Sequence, residues 1–228
     1  TPLTTIKGNM QLTQLFLKQL QGEETLSSRG CELLENASNL LERALRQTTV
    51  QKRLISDILD VSRIQMNKLE LSLELCDLVA IVQETVKDKQ HSDTAHRLHV
   101  ELPMQQSLFV MVDADRIGQV INNYITNALK YSRSNQAVVV GIEETERAAR
   151  VWVRDNGTGL TSEQQQHIWE RFYQAPGVPV QSGASIGLGL GLHISHILIE
   201  RHGGEVGVES TPGEGSTFWF TLPLHQER

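Results

Sequence analysis

Residues 151–160 read Val151-Trp152-Val153-Arg154-Asp155-Asn156-Gly157-Thr158-Gly159-Leu160. Apolar and polar residues alternate up to Asp155, which predicts a strand with one buried face that gives way to a turn at this carboxylate. A carboxylate there can accept hydrogen bonds from an amino group such as that of adenine, and Gly157 and Gly159 permit positive φ and the close approach of a flat ring. The alternative is a plain strand followed by an Asp-Asn-Gly turn. Three further segments of the chain favour the functional interpretation.

The composition is ordinary for a globular protein of one or two domains. The chain has 228 residues, of which 39% are hydrophobic and 21% are charged, so it can bury a sizeable core. Its formal net charge of -6 gives no sign of a nucleic-acid-binding surface, and we expect no nucleic-acid partner. Cys31 and Cys76 have neither metal-ligand nor disulfide spacing, which is typical of a reducing cytoplasm.

The first residues, Thr1-Pro2-Leu3-Thr4-Thr5, are neither a signal peptide nor an initiating methionine. The apolar runs of the chain are far shorter than a membrane span. We interpret the beginning as a cut inside a longer protein, so that any membrane attachment would depend on upstream sequence.

Two amphipathic helices are predicted before residue 69. Apolar residues recur at alternating spacings of three and four from Leu3 to Leu20, and again from about Ser27 to Lys68, which is the helical pattern. The apolar stripe is too wide for two helices to bury alone, and pairing with a second copy in a four-helix bundle would cover it. We therefore expect domain 1–68 to be a helical hairpin that forms a homodimer. The alternative is a hairpin packed on its own C-terminal domain.

A second domain is expected over residues 69–228. The period changes to strand-like alternation at Leu69–Asp77, where we place the linker and the domain start. Helices and antiparallel strands in the predicted order indicate an α+β fold, a two-layer sandwich. The predicted helices are Leu78–Lys89, Asp113–Tyr131, Ser162–Trp169 and Leu188–His202, and the predicted strands are His96–Leu102, Ser107–Val112, Ala137–Glu144, Ala149–Asp155, Glu205–Glu209 and Ser216–Leu222.

Two asparagines lie four residues apart on the helix predicted from Asp113 to Tyr131. Asn123 and Asn127 project from one face, with Lys130 and Tyr131 one turn further on. An asparagine oxygen is a suitable ligand for Mg²⁺, which takes few protein groups and fills its shell with water and phosphate. Lys130 can then neutralise phosphate charge. The alternative is a polar face turned to solvent.

Three glycines at alternate positions open the last predicted helix. They are Gly187, Gly189 and Gly191, with Leu188 and Leu190 between them. Helix entrances present unpaired amides and the positive end of a dipole, and glycine removes the side chains that would keep a polyphosphate away. The pattern is neither a Walker loop nor the dinucleotide fingerprint, and the alternative is a flexible hinge.

Two more segments are weak signals when taken singly. Phe172 belongs to an aromatic pair that a hydrophobic plug would also explain. Thr217 follows the turn Gly213-Glu214-Gly215-Ser216 into the last strand, and a glycine turn in a hairpin needs no function.

Taken in order, these segments resemble the cytoplasmic core of bacterial sensor histidine kinases, within the ATP-binding superfamily that includes gyrase, Hsp90 and MutL. The similarity covers nearly the whole chain and includes the family's N box, three glycine boxes and F box. It implies that Asp155 binds the adenine amino group, that Asn127 holds Mg²⁺, and that Asn123, Lys130 and Tyr131 face the phosphates. The nucleotide-binding residues that it implies are Asn123, Asn127, Lys130, Tyr131, Asp155, Gly157, Gly159, Phe172, Gly187, Leu188, Gly189, Leu190, Gly191 and Thr217.

The first residues, Thr1-Pro2-Leu3, resemble the tail of the family's H box. The phospho-accepting histidine and its acidic neighbour would stand just before this tail, so both are absent from the chain. By the same resemblance, Thr1 matches the residue that helps to place water for dephosphorylating the partner. We expect a fragment that binds Mg-ATP and cannot phosphorylate itself.

The resemblance implies an enzyme of two-component signal transduction, a protein-histidine kinase. It would use ATP and Mg²⁺ to phosphorylate a histidine and pass the group to an aspartate on the receiver domain of a response regulator. The implied location is the cytoplasm, either free or as part of a membrane-bound sensor. One alternative is an ATPase or anti-sigma kinase of the same superfamily, although ATPases commonly carry glutamate where Asn123 stands. The other is a non-catalytic dimeric scaffold that senses ATP.

Overall fold

The computed structural model describes residues 2–21, 28–92, 98–103, 107–132, 136–177 and 188–225. The chain divides into two compact units, Thr1–Ser62 and Arg63–Arg228.

The first unit is helical, as the spacing of apolar residues predicted. It is built from helices α1 (Pro2–Gln21) and α2 (Ser28–Gln65), the last residues of α2 belonging to the second unit. The hydroxyl of Thr48 lies 3.9 Å from the sulfur of Met10 and donates to the carbonyl of Ala44, so the two helices meet at this level. Many large apolar side chains of this unit remain more than half exposed: Leu12, Leu15, Phe16, Leu33, Leu40, Ile58 and Leu59.

The second unit contains two sheets and a layer of helices. Its elements in chain order are β1 (Glu74–Asp77), α3 (Leu78–Ser92), β2 (Leu98–Glu101), β3 (Phe109–Val112), α4 (Ala114–Tyr131), β4 (Val138–Glu144), β5 (Ala148–Asp155), α5 (Ser162–His167), α6 (Gly191–Arg201), β6 (Val206–Thr211) and β7 (Gly215–Pro223).

The larger sheet has five strands in the order β2-β4-β5-β7-β6, and β1 pairs with β3 in a small antiparallel sheet. Pairing within the larger sheet is antiparallel except between β2 and β4. The sequence had predicted only antiparallel strands. The chain between β2 and β4 passes through β3 and α4 and returns in the same direction, as a crossover connection allows.

The core lies between one face of the larger sheet and the helices. Alternation along β5 directs Val151, Val153 and Asp155 inward, and all three are buried. Helix α4 packs on α3, α6, β4 and β5, and its Tyr124 meets the ring of Phe218 on β7 at 5.8 Å between centroids. This arrangement is the predicted two-layer α+β sandwich.

The opposite face of this sheet pairs tryptophans with glycines. Trp152 stands opposite Gly141 on β4, and Trp219 opposite Gly207 on β6. A Cβ atom at either glycine would run into the neighbouring indole ring. The guanidinium of Arg150 lies 4.7 Å from the centroid of the Trp219 ring, a cation-π contact. Each indole ring therefore packs on the neighbouring strand at a glycine, where no side chain lies beneath the ring.

Hydrogen bonds hold residues 67–72 against the ends of two helices. Arg201, the last residue of α6, donates at 2.7 Å to the carbonyl of Leu69 and at 2.7 Å to the side-chain oxygen of Asn67. The amide of Ser72 donates to the carboxylate of Asp113 at 3.1 Å. This carboxylate also accepts from the amide of Arg116, so Asp113 is the helix cap that the sequence predicted.

Candidate nucleotide site

Asp155 ends strand β5 on the inner face of the sheet. It is 4% exposed, and its carboxylate accepts a hydrogen bond of 2.7 Å from the amide of Gly157. Burial raises the pKa of Asp155 to about 6, although backbone hydrogen bonds from Gly157 and Ser216 act to lower it. A carboxylate offers roughly four acceptor sites, so two backbone donors leave capacity for an amino group of a ligand.

Gly157 joins the loop after β5 to the end of α4. It forms an isolated antiparallel bridge with Ser132. A Cβ atom at Gly157 would lie 2.6 Å from the carbonyl oxygen of Tyr131 and 2.7 Å from the carboxylate of Asp155. Only glycine permits this approach, which places the last residues of α4 beside Asp155.

Gly159 lies in the left-handed region, with φ of +66°, and a Cβ atom there would overlap the carbonyl of Thr211. The amide of Gly213, in the turn between β6 and β7, donates to the carbonyl of Thr158 at 2.7 Å. The loop that follows β5 is therefore fastened to the β6–β7 turn, which brings the first and third glycine segments together.

The two asparagines of α4 have different surroundings. Asn123 is 7% exposed and donates through Nδ2 to the hydroxyl of Ser195 on α6 at 3.0 Å. Asn127 is half-buried, and within the described part of the chain no hydrogen bond of its side chain is found. Asn127 thus keeps its amide oxygen available to a ligand.

Lys130 and Tyr131 end α4 close to Gly157. The ammonium of Lys130 donates to the hydroxyl of Tyr131 at 3.0 Å and lies 4.7 Å from the centroid of its ring. Both side chains are half-buried. The ammonium of Lys130 therefore lies one helical turn from Asn127, on the same side of α4.

Helix α6 begins at Gly191, three residues later than the sequence predicted. Gly189 has φ of +71°, a left-handed conformation that no helix can contain, and its carbonyl accepts from the amide of Phe172 at 3.0 Å. Leu190, at 1% exposure, occupies the cap position without a side-chain hydrogen bond to the first turn. Among the described residues, no side chain caps the first amides of α6.

Two of the predicted residues, Phe172 and Leu188, have exposed side chains. Phe172 has φ of +62° and is 65% exposed. Leu188 is also exposed, at 37%. Thr1 and Gly187, two other predicted site residues, lie outside the described residues.

Thr217 is not brought together with Asp155. Along β7, Ser216 pairs with Asp155, whereas Thr217 pairs with Arg154. Successive strand residues point to opposite faces, so Thr217 lies on the outer face with Arg154, and Ser216 lies on the inner face. A glycine turn does not fix which face the next residue takes, so the sequence alone could not place Thr217 relative to Asp155. A contact between Thr217 and a nucleotide stays a prediction. The alternation of Phe218, Phe220 and Leu222, all buried, was a signal that could have identified Ser216.

Two histidines near the ends of α6 have hydrogen-bond partners within the fold. His193 interacts with the carbonyl of Trp169 and accepts from Arg171 at 2.9 Å, and burial lowers its pKa. His202 interacts with the carbonyl of Leu198 at 2.7 Å and accepts from the amide of Asp113 at 3.1 Å.

These side chains fit a nucleotide triphosphate better than a metal alone. Asp155, the half-buried cation of Lys130 and the uncapped start of α6 offer an acceptor, a positive charge and free amides, which suit a base and its phosphates. No group of three or more His, Cys, Asp or Glu side chains in the described ranges could hold a metal ion. Mg²⁺ at Asn127 would need phosphate and water oxygens to complete its shell.

A sequence model of histidine kinase-, DNA gyrase B- and HSP90-like ATPases matches residues 112–226. The chain belongs to this family. Within it, the protein is similar to sensor histidine kinase WalK of Bacillus subtilis (strain 168), with 27% identity over 230 residues that cover all of this chain and 35% of that protein. It is also similar to sensor protein GacS of Pseudomonas syringae pv. syringae, with 36% identity over all of this chain and 24% of that protein. The ATPase-family chain thus spans about a third or less of these relatives.

Two solved structures of similar fold cover nearly all of this chain. Full-length ShkA in complex with AMPPNP superposes with a TM-score of 0.63 and 22% identity over 99% of this chain and 46% of that chain. The histidine kinase AdeS of Acinetobacter baumannii gives 0.60 and 20% identity over 98% of this chain and 96% of that one. Both likenesses concern the fold. In the described ranges, no helix is both long and apolar enough to cross a membrane.

Proposed function

We propose that residues 69–228 bind Mg-ATP at the site around Asp155 and are the catalytic domain of a sensor histidine kinase. The observation that carries the proposal is the convergence, through Gly157, of a buried carboxylate with the end of α4 that bears Asn127, Lys130 and Tyr131. The adenine amino group would donate to Asp155, and the cation of Lys130 would face phosphate charge.

Asn127 is the residue that we assign to Mg²⁺. Its amide is half-buried at the same end of α4 as Lys130, and its oxygen is a neutral hard ligand. Bound Mg-ATP would supply the phosphoryl group, while the chain positions it and neutralises its charge. Asn123 is buried against α6 and would act beside it.

In the parent protein, the phosphoryl group would pass to a histidine and then to an aspartate on a response regulator. We place the histidine just upstream of Thr1, so this chain would bind nucleotide without phosphorylating itself. Residues 1–68 would form the dimerisation and phosphotransfer hairpin, and the exposed apolar side chains of α1 and α2 support a homodimer. A role for Thr1 in dephosphorylation belongs to the same proposal.

Titration with a fluorescent ATP analogue tests the site. Asp155→Asn should lose most of the affinity, since the amide presents a donor to the adenine amino group. Asn127→Ala should lose the dependence on Mg²⁺. Asn122→Ala, which removes an exposed asparagine of the same helix, is the matched control and should bind like the wild type. Unchanged affinity in both site variants would remove the assignment.

Phosphotransfer needs a second experiment. The chain extended upstream to include the histidine is incubated with γ-labelled ATP, and an acid-labile phosphohistidine should appear in the extended protein and not in the present chain. ATP binding without any phosphohistidine would favour an ATP-sensing scaffold instead.

A further inference from the structure

Ser210 on β6 connects three segments around the candidate site. Its hydroxyl donates to the carbonyl of Gly215 at 2.7 Å and accepts from the amide of Leu160 at 2.8 Å. The hydroxyl of Ser216 lies 3.0 Å from that of Ser210. Ser210 therefore links the loop after β5 to the start of β7, where Ser216 pairs with Asp155.

These contacts fix the direction of the hydrogen bond between the two serines. A hydroxyl has one hydrogen to donate and two lone pairs that accept. The hydrogen of Ser210 goes to the carbonyl of Gly215, because a carbonyl cannot donate. Ser210 then accepts from Ser216, as it also accepts from the amide of Leu160. The single hydroxyl hydrogen of Ser216 is thus used within the protein, and this hydroxyl can offer a ligand only an acceptor.

Ser216 lies beside the carboxylate of Asp155. The two residues pair across β5 and β7, and the side chains of such partners lie on the same face with Cβ atoms roughly 5 Å apart. The amide of Ser216 also donates to the carboxylate of Asp155. Asp155 is 4% exposed and Ser216 is 7% exposed, so water cannot readily replace a ligand group at this place. These two side chains together present acceptors and no donor.

Purine bases differ in what they would bring to these acceptors. Adenine carries an exocyclic amino group, which donates, where hypoxanthine and guanine carry a carbonyl, which only accepts. A carbonyl facing Asp155 and Ser216 would leave the oxygens without a hydrogen between them, and unpaired polar groups in a buried place are destabilising. A Ser216 hydroxyl that was free to turn could donate to the carbonyl and reduce this penalty.

We propose that Ser210 is a positioning residue for base specificity, which holds Ser216 as an acceptor beside Asp155 and so disfavours nucleotides with a carbonyl in place of the adenine amino group. The inference rests on the proposed function of the site and adds a residue that the sequence did not indicate. Ser210 acts through Ser216 and not by contact with the base.

The test compares the binding of ATP and ITP to the complete chain, by titration calorimetry with MgCl₂. ITP carries hypoxanthine in place of adenine. In Ser210→Ala, the preference for ATP over ITP should narrow by about fivefold to tenfold, the value of roughly one hydrogen bond, because Ser216 becomes free to donate. Ser210→Thr keeps a hydroxyl and should retain the wild-type preference. Melting temperatures of all variants identify any loss of folding.

Two further variants separate this role from a structural one. Gln165 also fastens the loop after β5, since it donates to the carbonyls of Leu160 and Ser210. Gln165→Ala should therefore lower the melting temperature without changing the preference for ATP. Ser216→Ala removes the acceptor itself, so it should weaken ATP binding and narrow the preference as Ser210→Ala does. This variant tests the inference if Ser210→Ala does not fold.

An unchanged preference for ATP in folded Ser210→Ala or folded Ser216→Ala would overturn the inference, as would an equal narrowing in Gln165→Ala or in folded Ser210→Thr. None of these results touches the proposed function, because the wild type would still bind ATP with Mg²⁺. Absence of any ATP binding by the wild type would refute the proposed function itself, and the role of Ser210 with it.

Discussion

The carboxyl group of Asp155 is buried, and its protonation should govern how the free energy of unfolding depends on pH. Its pKa in the folded protein is about 6, raised by burial from the ordinary value of 3.8. Its contribution to stability is therefore complete below about pH 4 and is lost as the pH rises through 6. The difference amounts to about 3 kcal/mol at most.

The measurement is chemical denaturation between pH 4 and pH 7. The wild type should lose stability relative to Asp155→Asn over this interval, because the asparagine does not titrate. Parallel pH profiles for the two proteins would show that the carboxylate is more solvated than the structure indicates.

Nucleotide affinity should have the opposite pH dependence. The adenine amino group needs the ionised form of Asp155, and at pH 5 a group with a pKa of about 6 is ionised in roughly one molecule in ten. Affinity for a fluorescent ATP analogue should therefore be about tenfold lower at pH 5 than at pH 7. Equal affinity at both values would argue against a hydrogen bond to the carboxylate.

Gly159 and Gly177 allow a matched comparison of backbone strain and packing. Both have positive φ, of +66° and +75°, but a Cβ atom would overlap the carbonyl of Thr211 only at Gly159. Gly177→Ala should cost about 1–2 kcal/mol of stability for its conformation alone. Gly159→Ala should cost roughly 2–3 kcal/mol more, since the loop must also shift. Thermal denaturation checks both values, and equal losses would contradict the packing argument.

A site residue could be predicted where its residue type and the sequence next to it indicate its chemistry. Asp155 was selected from the end of an alternating run followed by two glycines, and the structure places it there. Ser195 was not, because its hydrogen bond to Asn123 joins two helices that the sequence does not show to be neighbours. The sequence did not show that Ser216, and not Thr217, shares a sheet face with Asp155, because a shift of one residue along a strand exchanges the two faces of a sheet.

At the level of elements, periodicity located most of the helices within a few residues, and tertiary contacts decided the exceptions. Strand-like alternation runs over Leu69–Asp77, where we placed the linker and the domain start, yet only Glu74–Asp77 pairs with the four residues of β3. Leu69 accepts a hydrogen bond from Arg201 instead. No pattern in the sequence shows that a side chain 132 residues away will take the carbonyl of Leu69.

The outer face of the larger sheet yields a prediction for strand β4. Gly141→Val would push the ring of Trp152 out of its place over the strand. We expect a loss of about 1–3 kcal/mol of stability, typical of overpacking, together with a red shift of tryptophan emission. Ala148→Val adds methyl groups on the same face of β5, at a position that pairs with Pro223 and not with a glycine, and is the control. An unchanged emission spectrum in Gly141→Val would contradict the described packing.

At the scale of the whole molecule, the order of five short segments predicted more than any one of them. The hairpin and sandwich came from periodicity, and the family came from segments that lie far apart in the chain. What the sequence left open is how each unit covers its apolar surface. In the structure, large apolar side chains of α1 and α2 remain exposed.

Association of the hairpin should depend on those side chains. Leu40 is 65% exposed and Ile58 is 54% exposed. A homodimer would bury them, so Leu40→Glu together with Ile58→Glu should convert it to a monomer in sedimentation velocity. Gln47→Glu adds a charge at an exposed polar position of α2 and should leave the dimer intact. A wild type that sediments as a monomer at all concentrations would refute the dimer.

The packed pairs Gly141–Trp152 and Gly207–Trp219 also constrain the order in which substitutions can accumulate at these four positions. A lineage can shrink either indole first, because a smaller residue leaves only an exposed gap on the sheet. Enlarging the glycine first costs stability, because the indole ring must leave its place over the strand. Among descendants, bulkier residues at 141 or 207 should therefore occur mainly where the tryptophan opposite has already been replaced.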